Sequence, residues 1–256
     1  VSDPHVSVRE MMKTEREPLD AMTSADEVAR RFERNDWISA PVVDPQGTLL
    51  GRITIDDVVD VIREQADHSL AVMAGLGDGD VFTTVLATAP QRAIWLAINL
   101  ATAILAASVI AFYQDTIEKV VALAVLMPIV ASMGGIAGTQ SLTVLIRAMA
   151  MGQINDRTEI WLVRREIFVS IINGLIWAFV IAIIAAYWFD DTTLGLIIAF
   201  AIIINLITAG IAGASLPLIL DRFRIDPALA GGVVLTTITD VVGFFAFLGV
   251  AAYFYN

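Results

Sequence analysis

Five apolar stretches of about 20 residues or more run through the last two-thirds of the chain, and they constrain its fold more than any other feature. They fall near residues 95–113, 120–151, 167–189, 194–220 and 228–255. A bilayer core is about 30 Å thick, so roughly 20 apolar residues cross it as a helix. A helix also satisfies its own backbone hydrogen bonds where no water is available to do so. Composition agrees with this reading: 57% of the 256 residues are hydrophobic and mean hydropathy is +0.74. Soluble domains sit at about 45–50% apolar.

Charge is divided unevenly. Residues 1–92 hold 9 Lys/Arg and 17 Asp/Glu, a net of −8, whereas 93–256 hold 7 and 10, a net of −3. The first third therefore reads as a soluble acidic module and the remainder, 90–256, as a membrane domain. An acidic surface disfavours nucleic acid and anionic lipid as its partners and suits cations. There is no cysteine, so disulfides and thiolate metal sites are excluded. Val1–Pro4 reads as a linker and no signal-peptide core opens the chain, so a piece of a longer protein is expected.

Residues 1–63 alternate short elements as a small α/β module does. Ser24 and Glu27 have capping-box spacing ahead of a helix over 25–35. Strands are expected over 40–43 and 49–53, joined by the turn Asp44-Pro45-Gln46-Gly47, with a helix from Thr54 to Glu64 continuing to about residue 77.

Trp95, Tyr113, Trp188, Tyr253 and Tyr255 lie near span ends, where an aromatic belt belongs. The connection after the second span holds Arg147, Arg157, Arg164 and Arg165, and the one after the fourth holds Arg222 and Arg224. The other two connections hold one basic residue, Lys119. The positive-inside bias puts the soluble module in the cytoplasm and the C-terminus outside.

The second span is long for one crossing: its 32 residues would rise about 48 Å as a helix. It contains Pro128, Gly134, Gly135, Gly138 and Gln140. Unwound backbone lining a wet cavity and a helix packed closely through small residues both remain open there. Asn99, Asn173 and Asn205 read as interhelical hydrogen-bond donors, and Glu166 beside Arg164 and Arg165 as an interfacial ion pair.

Two acidic features carry chemistry. Asp240 is the only charge in 228–255, and a charge at that depth costs at least roughly 2.5–3.5 kcal/mol unless it meets a partner or water. At 100° per residue, Gly232, Thr236, Thr239, Asp240 and Gly243 form one face of small and hydroxylated residues around the carboxylate. Packing alone does not need Asp, whereas a hard cation does. A two-fold dimer would bring two such carboxylates together and bind a hydrated Mg²⁺ loosely enough for it to leave. The second feature is the helix bearing Asp56, Asp57, Asp60, Glu64 and Asp67, whose like charges four residues apart repel. It reads as a solvated face or as a low-affinity divalent-cation sensor. His68 and His5 carry no clear signal.

These residues resemble the MgtE family of magnesium channels over nearly the whole chain. Residues 8–63 resemble a CBS domain, through Ala40-Pro41-Val42-Val43-Asp44 and the run from Gly51 to Asp57. Residues 128–141 resemble the family's Gly-rich second helix, with Arg147 following at the expected interval. Asp226-Pro227-Ala228 and the run from Thr239 to Gly243 resemble the entry and centre of its fifth. The resemblance implies a mainly α membrane protein of a cytoplasmic (inner) membrane. Its five-helix bundle would follow a single CBS domain and an acidic connecting helix over 54–77. It implies a homodimer with the pore between subunits, lined by the second and fifth helices, and Asp240 as the pore carboxylate. It further implies closure of the pore when cytoplasmic Mg²⁺ binds the acidic helix, with ATP a candidate ligand at Thr54 and Asp57. Ile136 and Thr139 depart from the family pattern, which often has Asn at both positions, and the chain has one CBS domain where members usually have two.

Three readings follow: a Mg²⁺ channel, a Na⁺- or H⁺-coupled divalent-cation transporter, and a membrane sensor that conducts nothing. The choice among Mg²⁺, Co²⁺, Ni²⁺ and Mn²⁺ is open. Enzyme function is not expected, because no nucleophile–base pair, phosphate loop or histidine metal motif is present.

Overall fold

The computed structural model describes residues 18–73 and 84–255, and leaves aside the side chains of 65–73, 87, 91, 156, 229 and 230. It divides into two compact units, Val1–Leu70 and Ala71–Asn256.

The first unit has the expected order of helix, strand, strand and helix, preceded by an unexpected short strand: β1 (Leu19–Asp20), α1 (Ala25–Asn35), β2 (Ser39–Val43), β3 (Leu49–Thr54) and α2 (Ile55–Met73). The Ser24 hydroxyl accepts the Glu27 amide at 3.4 Å, which starts α1. The Glu27 carboxylate does not close the capping box and instead takes Arg30 (3.3 Å) and Arg31 (3.0 Å) one turn on. Asp44 Oδ1 accepts the amides of Gln46 and Thr48, while Gly47 at φ +81° supplies the left-handed step, so the β2–β3 turn forms where expected. β2 pairs parallel with β1 and antiparallel with β3. Pro41 is tolerated in this middle strand because β1 reaches only Val42 and Val43, which leaves the start of β2 an edge. Leu19, Val28, Ala29, Phe32, Ala40 and Val58 form the core, with Trp37 edge-on to Phe32.

The second unit is helical: α3 (Val85–Phe112), α4 (Gln114–Lys119), α5 (Ala122–Ala150), α6 (Asp156–Phe189), α7 (Thr192–Arg222) and α8 (Pro227–Tyr255). Five of these helices are long and apolar enough to cross a membrane. α7 is the hub, packed on α5, α6 and α8 and more buried than any other span, whereas α3 is largely exposed.

Two expectations need correction, and one open alternative is decided. Residues 114–119 form the short helix α4 rather than a plain connection. The four arginines placed in a loop stand instead on the ends of α5 and α6, since only residues 151–155 separate the helices. The Gly-rich segment does not unwind: α5 is continuous across Pro128, Gly134, Gly135 and Gly138. Its glycines serve close approach. A Cβ on Gly213 of α7 would stand 2.5 Å from the Gly138 carbonyl oxygen, so the two helices meet backbone to backbone.

Candidate functional site

α8 presents two different faces. Gly232, Thr236 and Asp240, at four-residue steps, lie on its partly open side. A Cβ on Gly232 would meet nothing within 4 Å. The Thr236 hydroxyl donates within its own helix, toward the Gly232 and Val233 carbonyls at 3.1 Å each. Asp240 is half-buried, and among the described residues its carboxylate has no hydrogen bond or ion pair.

The other two residues of the stripe do not share that side. Thr239 is fully buried, its hydroxyl turned onto the Leu235 and Thr236 carbonyls. Gly243 is buried against α7: a Cβ there would come 2.6 Å from Asn205 Nδ2. Asn205 occupies a notch between Gly243 of α8 and Gly134 of α5, and its Nδ2 donates to the Val130 carbonyl at 2.8 Å. It is fully buried, and among the described residues its Oδ1 has no donor. Of the three span asparagines, Asn205 alone makes such an interhelical bond among the described residues; Asn99 lies on an exposed face and Asn173 is half-buried.

α5 adds to the open side. Pro128, Ser132, Ile136, Thr139 and Gln140 are exposed, and a Cβ on Gly135 would stand 3.9 Å from Thr236 Cγ2, so this face of α5 adjoins the Asp240 face of α8. Gly134 and Gly138 point the other way, toward Asn205 and Leu235. The result is a shallow surface of small and hydroxylated residues with one carboxylate. It lies on the outside of the bundle.

Glu166 is more than an interfacial charge. It is 5% exposed, its Oε2 accepts the Ser141 hydroxyl at 2.9 Å and its Oε1 pairs with Arg165 at 2.9 Å, tying α6 to the packed side of α5. Its adjacency to Arg165 is legible in the sequence; its burial depends on Ser141, 25 residues away.

On α2, Asp56, Asp57, Asp60 and Glu64 are all exposed, while the Asp67 and His68 side chains lie outside the described residues, as does His5. Asp57 Oδ2 accepts both the amide and the hydroxyl of Thr54, each at 2.9 Å, so the two residues singled out for a nucleotide close the start of α2 together. The Asp56 carboxyl is held below the usual carboxylate range by the nearby Thr54 hydroxyl, then by amides at the helix start, with a smaller pull from Arg52. Among the described residues, no three His, Cys, Asp or Glu converge as a metal site. A cation at these exposed acids would need ligands from elsewhere.

Residues 127–250 match the model of the MgtE family, described as a divalent cation transporter, and residues 8–64 match that of the CBS domain. The chain carries an MgtE-family membrane domain and a CBS domain. It is 34% identical to magnesium transporter MgtE of Bacillus subtilis and 32% identical to that of Thermus thermophilus, over 99% and 98% of its own length. It is 30% identical to that of Enterococcus faecalis over 90%. The chain spans about half the length of these relatives, 56%, 56% and 51%. The MgtE match takes in all of the open face of α8 and most of α5, including Ile136 and Thr139, both exposed.

Proposed function

We propose that this chain conducts Mg²⁺ across a cytoplasmic membrane, through a path formed where the open α5–α8 faces of two copies meet. The observation that carries the reading is Asp240: a span's only charge, on a face of small and hydroxylated residues, with no partner among the described residues. An intramembrane carboxylate needs a counter-charge or water, and here both lie outside the bundle of one copy. A hydrated divalent ion supplies both. Mg²⁺ keeps most of its waters, so glycines and hydroxyls around two carboxylates suit it better than a closed cage of protein oxygens. The similarity to three magnesium transporters supports this cargo.

In this reading the side of the bundle at the ends of α5 and α7 and the start of α6 faces the cytoplasm, as the CBS unit does, and the C-terminus lies outside; the basic residues there support it through the positive-inside bias. Inward flux is then driven by the membrane potential at about 2.3 kcal/mol per charge per 100 mV. The exposed acids of α2 supply the gate: with little cytoplasmic Mg²⁺ the α2 helices of two copies repel, and bridging ions draw them together and close the path.

Voltage-driven Mg²⁺ uptake into proteoliposomes, without a Na⁺ or pH gradient, tests this. Wild type should conduct. Asp240→Asn should lower flux on the order of a hundredfold, because the ion loses a fixed counter-charge worth several kcal/mol in a medium of effective dielectric near 20. Neutralising Asp56, Asp60 and Glu64 together should leave flux intact and weaken its block by lumenal Mg²⁺. Flux that appears only with a Na⁺ or pH gradient would replace the channel with a coupled transporter.

A further inference from the structure

We infer that the cleft between the end of α5 and the start of α6 is a binding site for an anionic phospholipid. The cavity there measures about 320 Å³ and is lined by Arg147, Gln153 and Trp161, with Val144, Met151 and Leu162 among its apolar walls. It opens on the outside of the bundle, where the two helices diverge on either side of residues 151–155. The spans end here, so the cleft straddles the boundary between acyl chains and head groups.

Each part of the cleft fits one part of a lipid. Arg147 is exposed and, among the described residues, pairs with no carboxylate, so its guanidinium is free to fork onto a phosphate. Trp161 is 63% exposed at the same level, with an apolar ring for the glycerol region and an N–H for a head-group oxygen. Val144 and Leu162 continue the wall in the direction of the hydrocarbon, where an acyl chain lies. The neighbouring cleft between α6 and α7 holds Arg164 and Arg222, but the Glu159 carboxylate lines it too and engages Arg222 at 3.6 Å, so it is the less suited of the two to an anion. Among the described residues, the lining of the α5–α6 cleft includes no carboxylate. Basic clefts between membrane helices are recurrent sites for anionic head groups. Val144 and Arg147 sit on α5, on the same stripe as Gln140 one and two turns earlier, and Met151 caps its end. A bound lipid would therefore brace that helix, whether or not the chain conducts.

The test is native mass spectrometry of the delipidated chain in detergent with equimolar phosphatidylglycerol and phosphatidylcholine. Phosphatidylglycerol should be retained about fivefold over phosphatidylcholine, the worth of one basic side chain at an anionic surface. Arg147→Gln should abolish that preference, Arg147→Lys should restore part of it, and Arg224→Gln, outside the cleft, should leave it whole. Millimolar inorganic phosphate should not displace the lipid; displacement would assign the cleft to free phosphate and overturn the proposal. Equal retention of the two lipids by wild type, or equal loss of preference in the Arg147 and Arg224 variants, would also overturn it.

Discussion

Two carboxylates of the membrane domain, Glu166 and Asp240, are handled in opposite ways. Glu166 is enclosed, with one oxygen on Ser141 and the other on Arg165. Asp240 is half-exposed on a face of glycine and threonine and has no partner among the described residues. The same costly chemistry is thus matched by internal bonds in one place and left unmatched in the other. A charge neutralised inside the bundle holds helices together. A charge left without a partner is available to something that passes.

That contrast can be tested by removing each group. Glu166→Ala strips a buried carboxylate and leaves Ser141 without its acceptor. The half-exposed Arg165 can return to water, so a loss of about 2–3 kcal/mol in unfolding free energy is expected, read from chemical denaturation in detergent. Asp240→Asn should leave that stability unchanged or raise it, since it removes a charge that the bundle does not satisfy. A smaller effect separates the two sides of α8. Gly243→Ala drives a methyl group into Asn205 and should cost about 1–3 kcal/mol, whereas Gly232→Ala faces open space and should cost nothing measurable or stabilise the helix. Equal effects of the two alanines would erase the distinction between the packed and open sides.

The smallest effect expected lies at the far end of α8. Tyr255 donates to Asp191 Oδ2 at 2.5 Å, while Asp191 Oδ1 caps α7 through the Thr193 and Leu194 amides. The Tyr255 hydroxyl, then those amides, hold the Asp191 carboxyl below the usual carboxylate range, against the opposing effect of partial burial. A lowered folded pKa stabilises the fold fully above the unfolded value of about 3.9, and the contribution is lost as pH falls through the folded value. Tyr255→Phe should cost about 1 kcal/mol at neutral pH and flatten the decline of stability in acid.

Much of this architecture is legible in the sequence, for reasons that particular residues make plain. Hydropathy and length gave five spans because bilayer thickness leaves a crossing segment little freedom, although α3 starts at Val85, ten residues before the expected boundary at Trp95. The turn at Asp44–Gly47 follows from local side-chain-to-backbone bonding. The helical period of 3.6 gathers Gly232, Thr236, Thr239, Asp240 and Gly243 on one stripe, but Thr239 and Gly243 are buried while the other three lie on the open side. It does not say which neighbour covers part of that stripe, and Asn205, distant in sequence, covers Gly243. Glycines in a membrane helix leave unwinding and close packing equally open. The choice is made in α5 by Asn205, Leu235 and the backbone of α7 filling the space beside Gly134 and Gly138. The length of the second span was not evidence of a break either, since α6 and α7 are longer still and continuous.

The central claim, that Asp240 faces water and its neighbour Thr239 does not, can be measured directly because the chain has no cysteine. Asp240→Cys and Thr239→Cys, each the sole thiol, would be exposed in proteoliposomes to a charged, water-borne thiosulfonate, and labelling counted by mass. Asp240→Cys should label rapidly while Thr239→Cys stays unlabelled. Equal labelling of the two, or an unreactive Asp240→Cys, would contradict a water-filled path at Asp240.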